Sequence, residues 1–385
     1  MTTLPPFIPP THAAVAITAP RQPLQLTTLP THPPLPSEAL IRVTWTASTP
    51  LNLHRADGGL LLGDVSATNP FILGSSFGGT VVALGSELSH VRVGDKVFGF
   101  VQDGEPKEAG FQEYVTVPVW RVSKLPRGLR LKQAVAVPTN LVTAFHTIRE
   151  DLGLELPWPI PQGWVPSRAD DVILVWGAAS SVGMYLVQVL RHWGYRNVLA
   201  VASERHHRML KELGAGACFD YRRENAVEEI LGHIAKQHDA DVLPKVPYIV
   251  DCIGSKEGTL RPLTKIAEKG TKVAVMLPVI NVHAARDREP DLEMDVSKAL
   301  PGEWKEGIEL KGVRTHGYAK NEFFKSHLQP EIIPALLEQE VIRPNKQRVV
   351  EGSTLLERAE NALSLLRDNA VSGEKLVWRV ADEED

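Results

Sequence analysis

The sequence predicts an α/β protein: a doubly wound parallel sheet with helices on both faces, joined to a second, mainly β domain. Three observations carry this. From Asp171 onward, apolar strands and helical stretches alternate. The stretch DVILVWGAASSVGMYLVQVLRHW (171–193) passes from strand through a small-residue turn into a helix. Ahead of it, residues 13–122 break into short β-branched segments separated by Gly and Pro. Alternation gives a parallel sheet and punctuated short strands give a β domain.

In chain order, the first dozen residues are proline-rich and read as a loose surface segment. Strands follow at ALIRVTWTAS (39–48), GGTVVALG (78–85), DKVFGFV (95–101) and FQEYVTVP (111–118). Residues 131–149 keep a helical apolar period. The Pro- and Trp-rich segment 153–170 is an irregular connection. The sheet strands are then 172–175, 197–201, 248–252 and 272–277. Helices at 182–193, 205–213, 226–237 and 259–268 separate them, and Gly194, Gly214 and Gly270 act as stop signals. A charged loop, 284–312, interrupts this order. The tail returns through a helix at 355–367 and a strand at 375–380, and ends in the acidic ADEED.

A chain of 385 residues exceeds one ordinary core. With 43% apolar and 23% charged residues it reads as an ordinary soluble globular protein. The net charge of −4 gives no expectation of nucleic acid or an anionic membrane as partner. No apolar run reaches the roughly 20 residues that cross a bilayer. The N-terminus lacks the basic-then-apolar pattern of a secretory signal, so a cytoplasmic location is expected. Cys218 and Cys252 are the only cysteines, which excludes a disulfide framework and a cysteine-built zinc site. Both fall at strand positions where a buried thiol is expected.

The chemistry starts at the turn Gly177-Ala-Ala-Ser-Ser-Val-Gly183. Gly177, Ser180, Ser181, Val182 and Gly183 sit where a strand meets a helix N-terminus, and such a place attracts a pyrophosphate. Ser180 stands where the usual fingerprint has its middle glycine, and its hydroxyl adds a donor. An NAD site places an Asp or Glu about twenty residues on, against the ribose 2′-OH. Here Ser203 takes that position and Arg205 and Arg208 follow, donors suited to the 2′-phosphate of NADP. Glu204, turned inward, would serve NAD instead.

These stretches, with FILGSSFGGTVVALGSELSHVRVGDKVFGF (71–100), AGFQEYVTVP (109–118), VPTNLVTAFHTI (137–148), LKELGAGACFDYRREN (210–225), YIVDCIG (248–254) and VSGEKLVWRV (371–380), resemble the medium-chain dehydrogenase/reductase superfamily along nearly the whole chain. The nearest flavour is its zinc-independent quinone oxidoreductases and fungal trans-acting enoyl reductases, including ToxD-like proteins. The resemblance implies a GroES-like mainly β catalytic domain, residues 1–142 completed by 319–385, and a Rossmann NADP-binding domain, 143–318. Zinc-dependent members carry a catalytic Cys and a Gly-His-Glu; the matching positions here are Thr49 and Gly74-Ser75-Ser76. Thiolate and imidazole are both replaced, so no metal is expected. The resemblance further implies that Tyr221, Asn52, Leu277, Val371 and Ser372 touch the cofactor. Asn52 replaces the usual Asp of an Asn-Pro-x-Asp run.

Without a metal to polarise a carbonyl, alcohol oxidation is disfavoured, and hydride transfer to an activated C=C bond asks less of the protein. His54 stands where relatives place Tyr, Lys or His and is the candidate proton donor or enolate stabiliser. A surface histidine near the cleft mouth is the plainer alternative. Thr139 and Thr143 are candidate donors to a substrate oxygen, with helix capping as the alternative. The leading expectation is NADPH-dependent reduction of an enone, a quinone or an enoyl thioester, the last including a carrier-bound acyl chain. An aldehyde or ketone reductase, and a cofactor-binding protein with little catalysis, remain the alternatives. Monomer and homodimer both stay open, the latter through strand 272–277 as a sheet edge.

Overall fold

The computed structural model describes residues 7–102, 105–236 and 243–381. The chain forms two compact units. One comprises residues 1–142, 284–289 and 319–385; the other comprises 143–283 and 290–318.

In the first unit the long strand Glu38–Ser48 is buried along almost its whole length and organises the sheet. Lys375–Arg379 and Ser76–Leu84 flank it, extended by Gln347–Val349 on one side and by Lys96–Phe100 and Ser123–Lys124 on the other. Tyr114–Pro118 also pairs with Glu38–Ser48. Leu376 stands opposite Ser48, so the end of the chain completes the sheet that its beginning starts. A smaller sheet joins Gln25–Pro30, Thr11–Ile17 and Phe71–Ile72. Val15, Ile41, Phe77, Val97, Phe111 and Trp378 lie in one core. There the Phe111 ring meets Trp378 edge-on at 4.6 Å.

The second unit is a six-stranded parallel sheet. Its order is Ala217–Phe219, Val198–Val201, Ile173–Trp176, Tyr248–Asp251, Lys272–Met276 and Glu309–Val313. The first strand in sequence therefore lies between the second and the fourth. This is a topological switch point, where such sheets bind ligands at the carboxyl ends of their strands. The central strands are apolar runs because helices cover both faces.

Several expectations change. Residues 131–149 are not one helix: Leu131–Ala134 ends, Pro138–His146 begins anew, and Thr147–Asp151 is a π-turn. Pro138 lacks an N–H and restrains the residue before it, so the apolar period runs on while the helix cannot. The segment 284–312 is not all loop. It holds Asp291–Glu293, which pairs with Val279–Val282, and most of Glu309–Val313. The latter covers Lys272–Met276, so that strand is not a sheet edge open to a partner. Helix 205–213 starts as a 3₁₀ turn, Glu204–His206, and becomes α-helical at His207–Leu213. The helix placed at 226–237 runs Ala226–Ala235, and residue 237 lies outside the described residues. Of the proline-rich start, residues 1–6 lie outside the description and Thr11 and His12 are already strand; the acidic end 382–385 also lies outside it. Among the described residues no helix is long and apolar enough to cross a membrane.

Candidate active site

The dinucleotide turn is built by the backbone. Gly177 leaves its strand with φ +74, a left-handed value that costs glycine little. The N–H groups of Gly177 and Ala178 both donate to the Val201 carbonyl at 3.0 Å, which fastens the turn to the neighbouring strand. Ser180 is the extended N-cap of helix Ser181–His192, and its Oγ accepts from the Gly183 N–H at 3.1 Å. A Cβ on Gly183 would stand 2.6 Å from the Ala178 Cα, so only glycine lets the helix approach this closely. The Val182 N–H belongs to the first turn, whose donors have no partner inside the helix and favour an anion. The residues present fit a pyrophosphate.

The next turn, Cys252-Ile253-Gly254, backs this cradle. Cys252 N–H donates to the Trp176 carbonyl at 2.9 Å. Asp251 is fully buried, accepting from Thr259 Oγ1 at 2.6 Å and Ile253 N–H at 2.9 Å. Burial pushes its carboxyl up to about 6. Burial also raises the Cys252 thiol, with the Asp251 carboxyl acting the same way. Cys218 is only half-buried, short of the burial expected for it. Leu277 follows the fifth strand and lays its side chain on Gly312, where a Cβ would come within 2.5 Å of Leu277 Cδ1.

At the ends of the second and third strands the structure gathers Ser203, Arg205 and Tyr221 around Asp220. The Asp220 carboxylate accepts from the Glu204 N–H at 3.2 Å and the Arg222 N–H at 3.0 Å, tying the two loops together. These bonds hold it below the usual carboxylate range, the Arg222 N–H foremost. Ser203 is buried and Tyr221 is exposed, with the Arg222 guanidinium 5.7 Å from its ring centre. Arg205 Nε donates to His206 Nε2 at 3.2 Å. Arg208, which the sequence groups with Arg205, is paired with Glu212 at 3.0 Å. Sequence reasoning passed over His206, Asp220 and Arg222; the available signal for His206 and Arg222 was the basic residues that follow Ser203 and Tyr221 in the chain.

In the other unit, helix Pro50–Gly58 starts at Thr49, whose N–H donates to Asn52 Oδ1 at 2.8 Å. The Asn52 Nδ2 is buried and has no hydrogen-bond partner among the described residues. His54 is buried on the same helix, two positions on, and so lies on a different face from Asn52. It is therefore not a surface histidine. Ser75 and Ser76 are fully buried, and Ser75 Oγ likewise has no partner among the described residues. Ser76 Oγ and Thr139 Oγ1 share a hydrogen bond of 2.5 Å, and Thr46 Oγ1 donates to the Ser76 carbonyl at 2.7 Å.

Next to Thr139, Asn140 Oδ1 accepts from Lys375 Nζ at 2.8 Å, and burial pushes that lysine down to about 7. Val371 packs on the core of this unit, and Ser372 follows it in the loop before Lys375–Arg379. Thr143, four residues after Thr139 on the same helix, belongs to the dinucleotide unit and bonds Thr315 Oγ1 at 3.0 Å. Among the described residues no three His, Cys, Asp or Glu side chains cluster as metal ligands would.

Residues 35–127 match the alcohol dehydrogenase GroES-like domain and 181–286 the zinc-binding dehydrogenase domain. The trans-enoyl reductase tndF of Aspergillus flavipes is 31% identical over 266 residues, 67% of this chain and 71% of that one. The lovastatin nonaketide synthase enoyl reductase component lovC of Aspergillus terreus is 29% identical over 322 residues, 82% of this chain and 83% of that one. The CurK enoyl reductase crystal structure superposes with a TM-score of 0.70 at 14% identity, covering 96% of this chain and 99% of that one. Strand order, phosphate cradle and sequence likeness agree: the chain belongs to the medium-chain dehydrogenase/reductase family of oxidoreductases, alongside the fungal trans-enoyl reductases.

Proposed function

We propose that this chain is an NADPH-dependent reductase of an activated C=C bond, in an enone, a quinone or an enoyl thioester, and that it works without zinc. The observation that carries this reading is the buried hydroxyl set of Thr49, Ser75 and Ser76, the last bonded to Thr139. These positions match the metal ligands of zinc-dependent relatives and offer neither thiolate nor imidazole, although one matching domain is described as zinc-binding. The likeness to enoyl reductases supports the C=C assignment.

Members of this family bind nicotinamide cofactors. A bound NADPH would supply the hydride. The Gly177–Gly183 turn would hold its pyrophosphate, with Ser203, Arg205 and Tyr221 taking the 2′-phosphate. The orphaned Asn52 amide fits a carboxamide oxygen, because a buried donor without a partner costs about 1–3 kcal/mol until a ligand satisfies it. His54 would deliver the proton at the carbon that does not receive hydride, and Thr139 would hydrogen-bond the substrate oxygen. Residues 1–142 with 319–385 form the catalytic domain in this reading, joined by the short stretch 284–289, and the rest of 143–318 forms the dinucleotide domain of a cytoplasmic enzyme.

The test is turnover of NADPH and NADH with an enal, a quinone and a simple aldehyde, before and after chelator treatment. Reduction of the enal C=C or the quinone with NADPH, unaffected by the chelator, is expected. Preferred turnover of the aldehyde would make it a carbonyl reductase. Stoichiometric zinc whose removal abolishes activity would overturn the metal-free part. Binding of NADPH without any turnover would leave only a cofactor-binding protein.

A further inference from the structure

His206 stands at the centre of the cationic group near Ser203 and has no place in the reading above. Its Nε2 accepts a hydrogen bond from Arg205 Nε at 3.2 Å, an arrangement that requires the neutral imidazole. The charges that act on the ring itself are the guanidinium groups of Arg205 and Arg222 and the neighbouring His207. Its own turn carries Glu204 and Arg205; the following helix begins with His207, whose Nε2–H donates to the Ala202 carbonyl, and Arg208, which Glu212 holds. The facing loop carries Asp220, Tyr221, Arg222 and Arg223, with Asp220 accepting from two backbone amides and Arg223 paired to Glu229. Burial foremost, then Arg205, Arg222 and His207, hold the imidazole below its ordinary range.

A dianion brought into this group would reverse the balance. It would neutralise the neighbouring guanidinium groups and draw a proton onto the imidazole. That proton must sit on Nε2, the nitrogen now accepting from Arg205, because the other ring nitrogen of the neutral form already carries one. The bond from Arg205 then breaks and its Nε–H turns outward as a free donor.

We propose that His206 is a proton-linked reader of the cofactor's 2′-phosphate: it takes a proton from solvent as the phosphate docks, and its protonation releases Arg205 to bind that phosphate. This rests on the NADP reading and adds a consequence of its own. A histidine whose pKa rises on binding makes the ligand tightest at low pH, and affinity falls as pH climbs through the bound-state value. A cofactor without the 2′-phosphate gains nothing from the switch. Discrimination between NADPH and NADH is therefore greatest below neutrality and shrinks above it.

The test is calorimetry of the full chain with adenosine 2′,5′-bisphosphate and with 5′-AMP, at pH 7.5 in buffers of different ionisation heat. The bisphosphate should bind with proton uptake exceeding that of His206→Asn by about half a proton, and 5′-AMP should show no such difference. From pH 6 to 8 wild-type affinity for the bisphosphate should fall about tenfold more than that of His206→Asn. His206→Lys, a permanent cation that leaves Arg205 free, should keep tight binding across that range with no added uptake. Equal uptake in wild type and His206→Asn, with the bisphosphate still preferred, would overturn the histidine's role and leave the NADP reading standing. Equal affinity for the two nucleotides would overturn both.

Discussion

Lys375 Nζ donates to Asn140 Oδ1 at 2.8 Å inside the GroES-like unit, where the lysine is 3% exposed. Burial alone lowers it to about 7, against roughly 10.4 for a solvated lysine. The folded chain therefore binds fewer protons at this group than the unfolded chain across that interval. Stability from this group is lost as pH falls from about 10 to 7, and the penalty is fully present below 7. Lys375→Met removes the penalty. The variant should gain on wild type by up to about 1.4 kcal/mol per pH unit as pH falls from 10 to 7, on top of a constant cost of about 1 kcal/mol for the lost bond. Urea midpoints at four pH values measure this. Parallel curves would show that the lysine keeps its charge in the fold.

Asp57 and Arg367 join helix Pro50–Gly58 to helix Leu355–Arg367 through two bonds, 2.7 Å from Nε and 2.8 Å from Nη2. The aspartate side chain is 4% exposed and the arginine 19%. Breaking such a pair from one side strands a buried charge. Arg367→Met should cost about 3 kcal/mol, and Asp57→Asn added to it should recover part of that loss. Because this pair anchors the helix that carries Asn52 and His54, kcat should fall in the single variant at temperatures where it is still folded. Denaturant melts and assays at one low temperature separate the two effects.

Gly177 and Gly183 frame the same cradle but should respond differently to alanine. At Gly177 an added Cβ would meet Ile253 Cγ1 at 2.5 Å, and that exposed side chain can rotate away. The remaining cost is the left-handed backbone, about 1–2 kcal/mol. At Gly183 the obstacles are backbone atoms of Ala178 and Gly177 at 2.6–2.7 Å, which cannot move without displacing the turn. Gly183→Ala should weaken NADPH binding at least tenfold, more than Gly177→Ala does, as read by quenching of protein fluorescence. A stability loss with nucleotide affinity untouched would mark the turn as structural only.

The parallel sheet was legible because strands such as Ile173–Trp176 and Val198–Val201 are buried on both faces and read as uninterrupted apolar runs. Glu309–Val313 was not legible. As an edge strand of sequence ELKGV it takes its place from the bonds offered by Lys272–Met276, not from its own propensity. At the ends of the second and third strands, residue spacing singled out Ser203 and the family resemblance Tyr221, but neither showed the Asp220 bonds that bring their loops together. The bond from the Glu204 N–H spans 16 residues and belongs to tertiary structure. Lys375 escaped notice because a lysine near a strand start ordinarily reads as solvated. Only the packed sheet shows it on the side of Val377, under the cluster that also holds Leu131 and Val135.

His54 gives a sharp test of the proton step. It lies in a short helix whose start is set by Thr49 and Pro50 and whose end is the left-handed Gly59, φ +64, so its backbone position is fixed from both sides. The side chain is buried, and Phe keeps a flat ring there at the cost of some repacking, which a denaturant melt of the variant measures. Loss of a general acid typically costs 10²–10⁴ in rate. His54→Phe should therefore lower kcat by about a hundredfold with NADPH affinity unchanged, since no cofactor contact is assigned to it. His54→Gln keeps a hydrogen bond but cannot release a proton, so it should be as slow as the Phe variant if proton delivery is the role. If Gln restored most of the rate, His54 would be a hydrogen-bond donor to an enolate rather than the acid. Wild-type turnover in the Phe variant would remove the residue from the chemistry.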